Sequence, residues 1–167
     1  KQGTDYHTWW NGLTDPWKQA FNEAVLQKKD TSMPSDEQLS SIWTLTILRM
    51  AGPSAMFPNM SIALDDLSGV SQLTHLEILV ATHHNFESFE EISGLTSLHS
   101  LFLFSNRIKV LRGVEKLKGL QKLYINDNQV TTLQALSNLT ALEAVHCANN
   151  QITSLKGIGK QHKALKE

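Results

Sequence analysis

The chain has 167 residues, of which 41% are apolar and 19% charged, and its formal charge is −1. That is the size of one domain with a substantial core, and so neutral a chain lacks the electrostatic footprint of a nucleic-acid or anionic-membrane binder. No apolar run approaches the length of a bilayer span, so membrane insertion is excluded as well.

Residues 1–45 read as a helical N-terminal cap. In "TDPWKQAFNEAVLQKK", Trp17, Ala20, Phe21, Ala24 and Val25 follow the i, i+3, i+4, i+7, i+8 spacing of one helix face. Asp15 is the expected N-cap there and Pro16 the first helical residue. In "PSDEQLSSIW", Ser35 and Gln38 have capping-box spacing, and Leu39, Ile42 and Trp43 form the apolar side. Trp9 and Trp10 are placed just before the first of these two helices. Exposed aromatics can mark a ligand site, but their apolar area favours burial in the cap.

From residue 46 to 167 the sequence is periodic. Leu73, Leu95, Leu117 and Leu139 lie 22 apart, and each opens a stretch reading L-x-x-L-x-x-L-x-L-x-x-N-x-I-x-x-L. "LTSLHSLFLFSNRIKVL", "LKGLQKLYINDNQVTTL" and "LTALEAVHCANNQITSL" keep this frame, while "LTHLEILVATHHNFESF" puts His84 where the others have Asn106, Asn128 and Asn150. A degenerate first copy runs from Ile42 through Leu45, Leu48 and Met50, with about nine extra residues around "PSAMFPNMS" before the frame resumes at Leu64. Each coil supplies one short strand with inward L-x-L leucines, and parallel strands about 4.8 Å apart stack into one continuous core. The repeated Asn suits the turn after the strand, where its amide can satisfy inward-facing backbone groups. His84 cannot make the full set, so the ladder is expected to be imperfect there. At the other end, "KQHKALKE" reads either as a short closing helix through Ala164 and Leu165 or as part of a longer array.

These residues resemble the bacterial leucine-rich repeats of the 22-residue, internalin-like class, strongly from Leu64 to Ile158 and weakly from Ile42 to Met50. The resemblance implies an α/β fold: a right-handed leucine-rich-repeat solenoid with a parallel β-sheet on its concave face. For function it implies a protein-binding module, with the partner left open.

Alternation along the strand gives the outward face. With Leu101 and Leu103 inward, Phe102 and Phe104 point onto the concave surface, where the solenoid itself does not require apolar residues. Taking positions 22 apart, the Phe102 column contains Val80, Tyr124 and His146, with Arg49 if the degenerate copy is in register. The Phe104 column contains Thr82, Asn126 and Ala148, and the next contains His83, Ser105, Asp127 and Asn149. Val80, Phe102, Phe104 and Tyr124 thus form an apolar patch fringed by His146, Asn126, Asp127 and Arg107, the expected anatomy of a site for a protein or peptide. Two readings compete with it. Cross-strand aromatics stabilise a sheet without a ligand, and the loop at "PSAMFPNMS" could fold over the patch. A homodimer through this face, or a spacer role in a larger surface protein, satisfies the same chemistry.

Signs of catalysis are weak. His146 and Cys147 are neighbours on a strand and should face opposite ways, leaving Cys147 a buried, inert thiol. As the lone cysteine it permits no intramolecular disulfide. His83 and His84 diverge in the same way and lack further metal ligands, so no metal or other cofactor is expected. Asp65-Asp66 and Glu90-Glu91 fall between strands and read as solvated surface. Lys156, Lys160, Lys163 and Lys166 read as a solvated end. Asn59-Met-Ser61 and Asn138-Leu-Thr140 match the short glycosylation pattern, which arises often by chance. Lys1, in place of an initiator methionine, suggests a trimmed or mature chain, and leaves the compartment open.

Overall fold

The computed structural model describes residues 2–167, with side chains from residue 5 onward. Three helices come first: α1 (Gln2–Gly12), α2 (Asp15–Leu26) and α3 (Asp36–Trp43). Five strands follow, β1 (Ile47–Ala51), β2 (Ile78–Thr82), β3 (Ser100–Phe102), β4 (Lys122–Tyr124) and β5 (Ala144–His146). All four strand pairings are parallel, in the order β1-β2-β3-β4-β5. Single 3-10 turns at 68–70, 90–92, 114–116 and 134–136 carry the chain back between strands, because a 22-residue coil leaves little length for a longer helix.

The 22-residue frame is the structural register. Leu79, Leu101, Leu123 and Val145 are successive partners across the sheet, and Leu73, Leu95, Leu117 and Leu139 are wholly buried. The degenerate copy is in register too, with Arg49 beside Val80. The extra residues do not cover the sheet. Asn59 lies along the outer edge of β1, where its Oδ1 accepts the Ala51 N–H at 2.8 Å, its Nδ2 donates to the Arg49 carbonyl at 2.8 Å, and its own N–H donates to the Ala51 carbonyl. The loop tip projects into solvent, with Met56 85% and Phe57 74% exposed.

The cap has one helix more than its sequence suggested. Trp9 and Trp10 lie inside α1, not before the first helix, and both are buried. Trp9 packs its ring against Phe21 (5.1 Å between centroids) and Trp43 (5.4 Å), joining the three helices. At α2 the N-cap is Thr14, one residue before the expected Asp15, and Pro16 is the second helical residue. The Ser35–Gln38 capping box at α3 is formed in both directions. Buried Asn22 donates to the Asp30 and Ser32 carbonyls and so holds the α2–α3 connection.

Trp17 attaches the cap to the first coil. A Cβ at Gly69 would lie 2.0 Å from the Trp17 ring, so glycine is needed for the indole to seat there, and Trp17 Nε1 donates to Asp66 at 3.3 Å. Glu23 makes a second attachment, accepting the Ser61 N–H and hydroxyl at 3.0 Å each.

Inside the coils, Asn106, Asn128 and Asn150 each donate to carbonyls of their own and the preceding coil, and accept N–H groups of the preceding coil. His84 keeps an abbreviated version, with Nδ1 accepting the Leu64 N–H and Nε2 facing the Met50 carbonyl, each at 3.0 Å. The closing helix is not formed. Instead Lys166 and Glu167 donate their N–H groups to the Glu143 carbonyl, and Glu167 accepts from the Val145 N–H. Buried His162 occupies the column of Leu139 with the spacing stretched by one residue, and its Nε2 faces the Leu136 carbonyl at 2.8 Å.

Candidate functional site

Parallel register places the outward residues of β2 to β5 side by side. Val80, Phe102, Tyr124 and His146 are consecutive partners, and all four are half-buried. Phe102 and Tyr124 have ring centroids 4.7 Å apart, and Tyr124 and His146 stack at 4.0 Å with planes 19° apart. His146 Nε2 in turn meets the Glu167 carboxylate at 2.9 Å. Three rings therefore form one ladder across three coils, with Arg49 at its β1 end donating to the Phe57 carbonyl.

Phe104 stands outside this ladder. Its ring meets the edge of His83 at 5.9 Å, beside buried Thr82, whose hydroxyl bonds His83 Nδ1. Asn126, next in that column, has its Oδ1 buried with no hydrogen-bond partner among the described residues. Asp127 is exposed and accepts the Asn149 amide at 2.7 Å. Arg107 is exposed but lies beyond the strand, where its N–H donates to the Phe86 carbonyl.

The reason for that displacement is the turn. His83, Ser105, Asp127 and Asn149 all adopt φ between 56° and 62°, a left-handed conformation that ends strand alternation before Arg107. The sequence reading also passed over an outward row two residues upstream of the ladder: Ile47, Ile78, Ser100, Lys122 and Ala144. The same period-2 rule finds it. It brings an exposed cation, Lys122, to the β4 side of the face and exposed Ile47 to the β1 side.

Other candidate groups have structural partners. Cys147 is half-buried rather than buried, and burial pushes its thiol pKa up. Asp66 accepts the Ser68 N–H and hydroxyl as well as the Trp17 indole, and Glu91 accepts the Leu67 N–H, so these acids hold turns instead of standing as free surface charge. Glu90 pairs with Arg112 at 2.7 Å. Among the described residues no three His, Cys, Asp or Glu side chains converge as metal ligands, and no helix is long and apolar enough to cross a membrane.

The repeats match known families and structures. The sequence model described as "Leucine Rich repeats (2 copies)" matches residues 96–138 and 118–160. An internalin, InlF, from Listeria monocytogenes superposes with a TM-score of 0.68 at 27% identity, over 92% of this chain and 44% of that one. A leucine-rich-repeat protein of Leptospira interrogans superposes with a TM-score of 0.62 at 20% identity, over 89% of this chain and 44% of that one. This chain thus spans less than half the length of either. Among curated protein sequences none matches it significantly. Leucine-rich-repeat domains are generally protein-interaction modules, their stacked coils offering an extended concave surface. Residues 96–160 thus carry leucine-rich repeats, and the repeats, their register and the helical segment ahead of them are similar to those of bacterial, internalin-like leucine-rich-repeat proteins.

Proposed function

We infer that this chain is a non-catalytic binding module that recognises a protein or peptide along its concave face. The observation that carries the reading is the ladder Phe102–Tyr124–His146, three rings held outward on a sheet whose core is already filled by leucines. Such rings supply rigid apolar area at low entropic cost and dominate protein interfaces. In this reading Val80, Phe102, Phe104 and Tyr124 give apolar contact, while His146, Asn126, Asp127 and Arg107 fix orientation at the rim. Residues 1–45 act as the cap and 46–167 as the recognition domain.

The test is capture from cell lysate and secreted fractions with wild type beside Phe102→Ser/Tyr124→Ser. Captured proteins are then identified and remeasured as purified pairs. Hydrogen exchange on the complex maps the footprint. A partner that protects β2 to β5 and is lost by the double variant supports the reading. A partner bound equally by both, or protection confined to the cap or the convex turns, refutes it.

Homotypic contact is the second reading, supported by Leu155, 69% exposed in the last coil. Concentration-dependent sedimentation that disappears with Leu155→Ser favours it; a monomer at all concentrations removes it.

A further inference from the structure

At the junction of cap and first coil lies a cavity of about 420 Å³, lined by residues of α1, of the turn into α2, of α3 and of the first 3-10 turn, with Gln72 just beyond it. Its size is within the roughly 300–1,000 Å³ of small-ligand sites. One face of α1 supplies Asp5, Thr8, Trp9 and Gly12 at helical spacing. The turn into α2 supplies Thr14, and the first 3-10 turn supplies Ser68 and Ser71. The floor is aromatic, since half-buried Trp43 packs beside Trp9 at 5.4 Å.

The lining selects a chemical class. No lysine or arginine lines the cavity among the described residues, so nothing there compensates an anion, and one carboxylate discourages one. Four hydroxyls, of which those of Ser68 and Ser71 already donate to Asp66 and to the Ser68 carbonyl, together with one carboxamide and that carboxylate, are too polar for a lipid tail. Thr14 lines the cavity and holds an N-cap position while its hydroxyl makes no capping bond, so the helix does not use that hydroxyl's donor and acceptor capacity. Asp5 and Gln72 are exposed, so their polar ends are open to a ligand. A carboxylate and an amide that bond vicinal hydroxyls, beside an indole that covers the apolar face of a ring, fit a neutral polyhydroxylated molecule.

We propose that this cavity binds a neutral saccharide, with Trp43 under the sugar ring and Asp5, Thr14 and Gln72 on its hydroxyls. The site is separate from the concave face and independent of its partner.

Gly12 provides a clean test. It lines the cavity, and a Cβ built on it meets nothing within 4 Å, so a larger side chain such as that of Gly12→Leu has open space in which to start. The probes are glucose, galactose, mannose, N-acetylglucosamine, cellotriose and chitotriose, with glucuronic acid as the anionic control. Binding is read by saturation-transfer NMR, tryptophan fluorescence and calorimetry, and melting temperatures verify that each variant folds. The expected result is binding of at least one neutral sugar, weakened tenfold or more in Gly12→Leu and in Gln72→Ala, and unchanged in Phe102→Ser/Tyr124→Ser. Absence of binding by every neutral probe, equal binding by Gly12→Leu, or binding of glucuronic acid alone overturns the proposal.

Discussion

Acid should weaken this solenoid at one residue, His84. Its Nδ1 accepts the Leu64 N–H, which assigns the proton to Nε2 and directs it at the Met50 carbonyl. The bond from Leu64 requires Nδ1 to be unprotonated, whereas the bond to Met50 survives in either state. Protonating Nδ1 removes the acceptor and places a cation in a buried site, and burial pushes the pKa down from 6.5 to about 4, helped by neighbouring His83. Because the folded value lies below the unfolded one, the unfolded chain takes up the proton first as pH falls. Stability is therefore full above about pH 6.5 and is lost progressively down to about pH 4. At about 1.4 kcal/mol per unit, the loss approaches ~3 kcal/mol by pH 4 and is about 2 kcal/mol at pH 5. His84→Asn replaces the imidazole with the amide used at Asn106, Asn128 and Asn150, which does not titrate. Urea unfolding of both proteins at pH 7 and pH 5 measures the contrast. Wild type should lose about 2 kcal/mol more than the variant over that interval. Equal losses would show that His84 does not control the acid response.

Gly69→Ala should destabilise by about 1–3 kcal/mol, the usual cost of overpacking, because the methyl displaces the Trp17 ring that seats the cap; thermal melting with tryptophan fluorescence detects both effects, and an unchanged melt contradicts the close packing. Ser105→Asn should stabilise by up to ~1 kcal/mol, since asparagine tolerates the left-handed backbone better than serine and Asn149 already occupies the equivalent turn at φ 56°; denaturant titration checks it, and a loss of stability would show that Ser105 itself has a packing role.

The sequence was most informative where a physical rule repeats. Leucines 22 apart specify the stacking of coils, because a single coil cannot bury its own apolar face and a shifted neighbour would expose it. The outward ladder followed from the same alternation, and Arg49 fell into its column despite the insertion. Legibility ended where the rule ended. Past Phe104 the left-handed residue at Ser105 breaks period 2, so strand alternation does not by itself fix where Arg107 stands relative to the outward columns. Helix α1 has little local signature because "QGTDYHTWWNG" lacks a clean apolar stripe; its two indoles are buried, with Trp9 packed against rings of α2 and α3, a tertiary effect. The closing helix failed for a related reason. Ala164 and Leu165 look helical alone, but the backbone of β5 offers Lys166 and Glu167 parallel-strand partners instead.

The plug that Asn59 makes on β1 bears on how this molecule can polymerise. Head-to-tail growth of sheets requires every subunit to offer a bare strand edge at both ends, so that each newcomer leaves a fresh template behind it. Here one template is already occupied: Ala51 is bonded through both backbone groups and Arg49 through its carbonyl. A foreign strand arriving at that side would have to evict a side chain whose loop is tied to α2 through Ser61 and Glu23. Strand addition on the β1 side is thus a blocked step, and a filament built by repeating it has no second move.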